Sequence, residues 1–336
     1  MKMLPLLGLS LLASVAIGAG SERPWQSLPR EDSSPAESPA SDAKIELGRL
    51  LFHDARLSES RTVACATCHA LAEGGADHRP TSLGVHGESD GRNAPTVWNV
   101  AFLTSYYWDG RASSLEDQAR TQLLNPIDMG MRDAAYLEAR IRSIVGYQPY
   151  FARAFGGGEV ITTANIAVAI ASFERTLITP DTPYDRFVNG DKSALTEQQQ
   201  RGMTAFRADG CGRCHQGPAF DGPGLTQGTV FTMRFPTYPR SPFAATYQLV
   251  SDLGRFEWTG KEQDRSQWRV PSLRNLSYTA PYMHNGLVPT LPAAVRVMGS
   301  TELARTFTDA EVADLVAFLE SLSGPLPKVE LPKLPL

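Results

Sequence analysis

The residues of this 336-residue chain best suited to chemistry are its four cysteines and the histidines beside them. Cys65-Ala-Thr-Cys68-His69 and Cys211-Gly-Arg-Cys214-His215 both read C-x-x-C-H, and together they use every cysteine in the sequence. At this spacing two thiols can add across the two vinyl groups of one haem. The histidine that follows is then held beneath the iron, where imidazole is a good axial ligand. Three other uses of paired cysteines compete. A zinc site would bring two C-x-x-C halves within roughly 15–20 residues of each other, whereas Cys68 and Cys211 are 143 positions apart. A thioredoxin-type dithiol belongs between a strand and a helix, and neither motif has that setting. Plain disulfides would leave the two histidines without a purpose. Two covalently held c-type haems are therefore the expectation, anchored by Cys65, Cys68, Cys211 and Cys214, with His69 and His215 on the irons.

Composition narrows where such chemistry takes place. The chain is 42% hydrophobic and 20% charged, as expected of a globular protein with a real core, and its length suits about two domains. A net charge of −4, a pI of about 5.9 and the lack of a basic cluster argue against non-specific nucleic-acid binding. Lys2, the apolar run Leu4 to Ala16 and the small residues Gly18 to Ser21 read as a signal peptide over residues 1–20. The run is too short for a membrane span, which needs roughly 20 apolar residues. Export agrees with the cysteine motifs, since bacteria attach c-type haem outside the cytoplasm, and the expected location is the periplasm.

The elements that must position the motifs are mostly helical. Residues 21–42 are rich in Pro, Ser, Glu and Asp and read as a disordered linker. A short helix is expected around Ile45 to Phe52, ahead of the first motif. Its Gly48-x-x-x-Phe52 has an echo in Gly202-x-x-x-Phe206, ahead of the second. Glycine on a helix admits a second helix at close range and the aromatic fills the crossing, so the pair reads as an internal repeat of a small haem-binding helical domain. Ala70 to Asn99 is Gly-rich and polar, and reads as long loops. Helical spacing is evident over Ala135 to Val145 and over Asn165 to Leu177, with Thr163 as N-cap of the latter. Thr179 to Pro183 is a break, which sets domains at 43–180 and 181–336. Thr308 and Glu311 form a capping box for a last helix ended by Gly324-Pro325. Strand signal is confined to Thr229 to Met233. The fold class is mainly α.

Further stretches occur in order along the chain: Arg92-Asn-Ala-Pro-Thr96, Trp108-Asp-Gly-Arg111, and Pro271-Ser-Leu-Arg-Asn275 running on to Ala280-Pro-Tyr-Met-His-Asn-Gly286. With the two C-x-x-C-H motifs, this ordered set resembles the bacterial di-haem cytochrome c peroxidase family, which includes the MauG-type protein-modifying enzymes. The resemblance runs from Gly48 to Pro325. It implies two cytochrome c-like domains, each around one covalently bound haem. The C-terminal haem would accept electrons, with His215 on one face and Met298 on the other. A thioether ligand raises the reduction potential of a c-type haem. MauG-like members have a tyrosine at that position. Met283 is a rival ligand, and either methionine could simply pack the core.

By the same resemblance the N-terminal haem is the peroxide site, with His69 as proximal ligand. Many members close its far side with a loop histidine. His86 stands one residue from that position, Val85 being the aligned one, so two readings are open: His86 as a removable ligand, or as a loop histidine beside an open iron. His53 and His78 read as solvated histidines. Asp128 falls where the family has a glutamate that moves a proton between the peroxide oxygens; alternatively it is a loop aspartate bonded to its own backbone. Gln118 matches a second polar residue of that pocket, and Trp108 an indole that couples the two haems. A calcium ion between the domains is also implied, held by the Asn93 side chain and the carbonyls of Thr279 and Pro281.

Three functions follow from the resemblance. One is a peroxidase reducing hydrogen peroxide to water with electrons from a small cytochrome c or cupredoxin. The second is a MauG-like enzyme that uses peroxide to oxidise a tryptophan or tyrosine of a partner protein. The third is a plain electron carrier, which would need both irons permanently six-coordinate. A homodimer is compatible with any of them.

Overall fold

A computed structural model describes residues 25–31 and 39–336. The expected signal peptide, residues 1–20, lies outside them. The described chain is mainly helical, with one two-stranded antiparallel ribbon, and builds two large hydrophobic cores and a smaller third cluster around Val100, Leu103, Tyr106 and Leu115. Among the described residues no helix is long and apolar enough to cross a membrane.

The first core forms around α1 (Asp42–Phe52), α2 (Leu115–Leu123), α3 (Ala134–Arg142), α4 (Gln148–Phe155) and α5 (Thr163–Glu174). Ser41 caps α1, and Leu47, Leu50, Leu51 and Phe52 are buried on one face. The N-cap of α5 is Thr162, not Thr163. Thr162 accepts the Asn165 N–H, while Thr163 begins the helix and its hydroxyl bonds Glu138. The second core forms around α6 (Pro183–Val188), α7 (Glu197–Ala208), α8 (Leu291–Glu302) and α9 (Asp309–Ser321). Thr308 and Glu311 make the expected capping box on α9. The strand signal is realised slightly later, as β1 (Thr232–Arg234) paired with β2 (Gln267–Arg269).

The glycine-aromatic repeat has one geometric cause. A Cβ on Gly48 would stand 1.9 Å from the Ala169 carbonyl oxygen of α5, and one on Gly202 would stand 1.8 Å from the Asp314 carbonyl oxygen of α9. Only glycine lets the backbones meet so closely. Edge-on rings then fill each crossing: Phe52 on Phe173 with centroids 5.4 Å apart, and Phe206 on Phe318 at 5.2 Å.

A second repeat, not evident from the motifs singly, links 95–112 to 271–288. Asn99 and Asn275 both take left-handed backbone, as do Tyr107 and Met283, and Gly110 and Gly286. Isolated bridges Tyr106 to Ala112 and Tyr282 to Val288 close the two loops in the same way. Ser114 then caps α2 and Thr290 caps α8. Each pair is separated by the same 176 positions. Thr179, in the expected junction, is gripped from both sides by Asn99 Nδ2 at 2.8 Å and Asn275 Nδ2 at 3.0 Å.

The chain ends depart from the expected partition. Part of the segment read as a disordered linker is docked. Trp25 packs among Tyr184, Phe206, Phe220 and Phe318, and the buried Leu28 donates its N–H to Asp185 at 3.0 Å. The C-terminal tail, assigned with the second half, returns to the first core through Leu326, Val329 and Leu334. Gly146 donates to the Leu336 carbonyl at 2.8 Å and Arg56 to that of Pro335 at 2.8 Å. Apolar burial overrides the polar, proline-rich composition of the N-terminal segment and uses the leucines of the tail.

Candidate active site

Each C-x-x-C-H motif opens onto its own cavity. Cys65–Cys68 is a single helical turn, and with His69 it borders a space of about 160 Å³. Cys211, Cys214 and His215 border one of about 390 Å³. All four thiols are free, and burial pushes each of them up. Among the described residues no cluster of His, Cys, Asp or Glu suits a metal ion by itself. The separate cavities count against a zinc site shared by the two motifs.

The histidines are prepared as ligands. His69 Nδ1 is 3.1 Å from the Gly75 carbonyl and His215 Nδ1 is 2.9 Å from that of Phe220. A carbonyl at Nδ1 holds the proton there and leaves Nε2 with a lone pair for iron. Burial lowers both imidazoles from their ordinary value, which keeps them neutral.

The polar residues of the walls also fit a haem. Arg269, buried, lines both cavities; it donates to the Tyr107 and Val270 carbonyls and pairs with no carboxylate among the described residues. His284 lines the larger cavity with Nε2 unpartnered, and is stacked on Trp268 at 4.2 Å. Glu174 lines the smaller one with Oε2 unpartnered. Burial lifts Glu174 to about 8, so it is a protonated donor near neutrality. Buried polar atoms ordinarily have partners, and haem carboxylates would supply them. None of these three was singled out from sequence. Arg269 and His284 sit beside or inside stretches that were.

Trp108 is in the wall that the cavities share, together with Asn93 to Thr96 and Leu103. Its indole N–H donates to the Asn93 carbonyl at 2.8 Å, and its own carbonyl accepts the Arg269 N–H at 2.9 Å. Met298 lines the larger cavity with His215, and so does Met283. Asn93, Thr279 and Pro281 line it too. The Asn93 amide nitrogen is taken by the Arg79 carbonyl, while Oδ1 and the Thr279 and Pro281 carbonyls have no described donor. Oxygen is the donor type that a hard cation such as calcium takes.

In the smaller cavity Asp128 does not bond its own backbone. Its Oδ2 accepts Gln122 Nε2 at 2.8 Å and Asn125 Nδ2 at 2.6 Å. Burial, then the Asp90 charge, lift Asp128 to about 6, against the pull of Gln122 and Arg111. Gln118 lines the same space, one turn before Gln122. The Tyr107 hydroxyl faces two acceptors, the Gln118 carbonyl at 3.1 Å and Gln122 Oε1 at 3.2 Å. His86 is outside this group: it is exposed and does not line the cavity, whereas Val85 packs on the first core and its N–H is held by the Ile127 carbonyl at 3.1 Å. His53 bonds the Arg49 carbonyl and His78 that of Ala280, both away from the cavities.

Residues 42–193 match the family model described as di-haem cytochrome c peroxidase. Cytochrome c551 peroxidase of Nitrosomonas europaea is 39% identical over 300 residues, spanning 89% of this chain and 86% of that protein. The chain belongs to the di-haem cytochrome c peroxidase family. Cytochrome c peroxidase Ccp of Escherichia coli is 40% identical over 86% of this chain, which spans only 60% of that longer relative. MauG of Methylophilus methylotrophus is 34% identical, over 93% of this chain and 92% of the relative. Among solved structures, a MauG-like protein associated with microbial copper homeostasis superposes with a TM-score of 0.76 at 29% identity, covering 88% of this chain and 94% of that one.

Proposed function

We propose that this chain is a periplasmic di-haem peroxidase that reduces hydrogen peroxide to two waters, with two electrons from a small cytochrome c or cupredoxin and two protons from solvent. The observation that carries the reading is the shared wall at Trp108 between cavities with unequal far sides. When bound, the two haems supply the iron that meets peroxide and the store for incoming electrons.

The chain's own residues divide the remaining work. Cys211, Cys214, His215 and Met298 would hold the group that takes electrons in, and Cys65, Cys68 and His69 would hold the one that faces peroxide. Trp108 provides the aromatic path between them. Asp128 takes the proton of the near peroxide oxygen and returns it to the departing one, while Gln118 offers its amide to the bound peroxide. The exposure of His86 supports its reading as a loop histidine, with the peroxide side open at rest. Asn93, Thr279 and Pro281 would hold calcium between the halves.

The test is steady-state turnover of hydrogen peroxide by the purified holoprotein with a reduced cytochrome c or cupredoxin. Consumption of two donor equivalents per peroxide is expected. A second reading, a MauG-like enzyme oxidising a tryptophan or tyrosine of a partner protein, is favoured by the exposed His86 and the similarity to MauG. Negligible donor turnover, with peroxide still producing a long-lived oxidised protein, would select it.

A further inference from the structure

The repeat that relates 95–112 to 271–288 continues into the helices that follow. Helix α2 begins at Leu115 and α8 at Leu291, each behind a hydroxyl cap and again 176 positions apart. In the same register Leu115 and Leu291 are both buried, and so are Ala119 and Val295. The residue of α2 that corresponds to Met298 is Gln122. Each lines the cavity of its own half.

We propose that Gln122 occupies the sixth-ligand position of the N-terminal half, and that its amide both withholds a ligand there and positions Asp128. The proposal rests on the reading of Met298 as an iron ligand. Both ends of the Gln122 amide are engaged. Nε2 donates to Asp128 Oδ2 at 2.8 Å, and Oε1 shares the single proton of the Tyr107 hydroxyl, at 3.2 Å, with the Gln118 carbonyl at 3.1 Å. These bonds orient the amide toward Tyr107 and Asp128, and carboxamide is a weaker partner for haem iron than a thioether. Tyr107 corresponds in the repeat to Met283, so the hydroxyl that turns Gln122 away has no counterpart in the other half. One framework thus gives a closed site where the helix carries methionine and an open one where it carries glutamine. Gln122 is a positioning residue here: it acts on peroxide through Asp128.

The test uses the holoprotein and its optical and electron paramagnetic resonance spectra, with Gln122→Met, Gln122→Leu and Met298→Gln. Methionine and glutamine are both unbranched and of similar length. Gln122→Met should remove the high-spin ferric signal, add a second His/Met low-spin signature, and slow the reaction with peroxide by about 100-fold or more. Gln122→Leu, which has no donor atom, should stay high-spin while shifting the pH dependence that Asp128 imposes. Met298→Gln should do the reverse in the other half, turning its low-spin haem high-spin. If Met298→Gln does so but Gln122→Met remains high-spin, the proposal fails and the Met298 reading stands. If Met298→Gln leaves its low-spin signal unchanged, that reading fails and the proposal with it. Should Gln122→Met not take up haem, Gln122→His offers nitrogen from the same position, and a persistent high-spin signal there overturns the proposal.

Discussion

Asp128 is held by two side-chain amides on a single oxygen, in a cavity wall that raises it to about 6. Only its ionised form can take a proton from peroxide. The peroxide reaction should therefore quicken as pH rises through about 6 and level off above it, measured by stopped-flow mixing. Asp128→Asn should abolish that limb and slow the reaction by about 100-fold or more, the usual range for a lost acid–base group. This residue was legible from sequence as a position, but its environment was not. Asn125 and Gln122 reach it from a turn and from a helix, and no linear spacing announces that they share an oxygen. The thiols and the histidines beside them were legible because C-x-x-C-H is a contiguous motif. Glu174 and His284 were not, because what marks them is a missing partner in a folded wall, and Arg269 was not, because what marks it is burial in the wall that both cavities share.

At the scale of elements, the two glycine crossings are the joints on which the cavities rest. Gly48→Ala and Gly202→Ala would each drive a methyl group into a facing carbonyl. Each should cost about 1–3 kcal/mol or more, as overpacking does, read as a lower denaturation midpoint of the holoprotein. Gly157→Ala, where an added Cβ meets nothing within 4 Å, is the control and should be near neutral. The crossings were predictable because glycine four residues before an aromatic occurs twice, each time ahead of a cysteine motif. The 176-residue repeat was harder to see. It is written in backbone sign more than in residue type: Trp108 corresponds to His284, and Tyr107 to Met283.

At the scale of the molecule, each half is covered by the far end of the chain. Removal of residues 326–336 should strip Leu326, Val329 and Leu334 from the first core, at about 3 kcal/mol in total for partly buried side chains. Amide exchange should then rise in α1 and α4 while α7 and α9 keep their protection. The crossing escaped the sequence reading because the proline- and serine-rich stretch 21–42 has the composition of a free linker, and because nothing in the proline- and leucine-rich tail says which core its leucines join. The exchange of ends also carries a schedule. The residues that seal the first core are encoded downstream of the second cysteine motif, so both pairs of thiols are synthesised before either half can be finished. A chain still in that state has a first core that Leu326, Val329 and Leu334 have yet to complete.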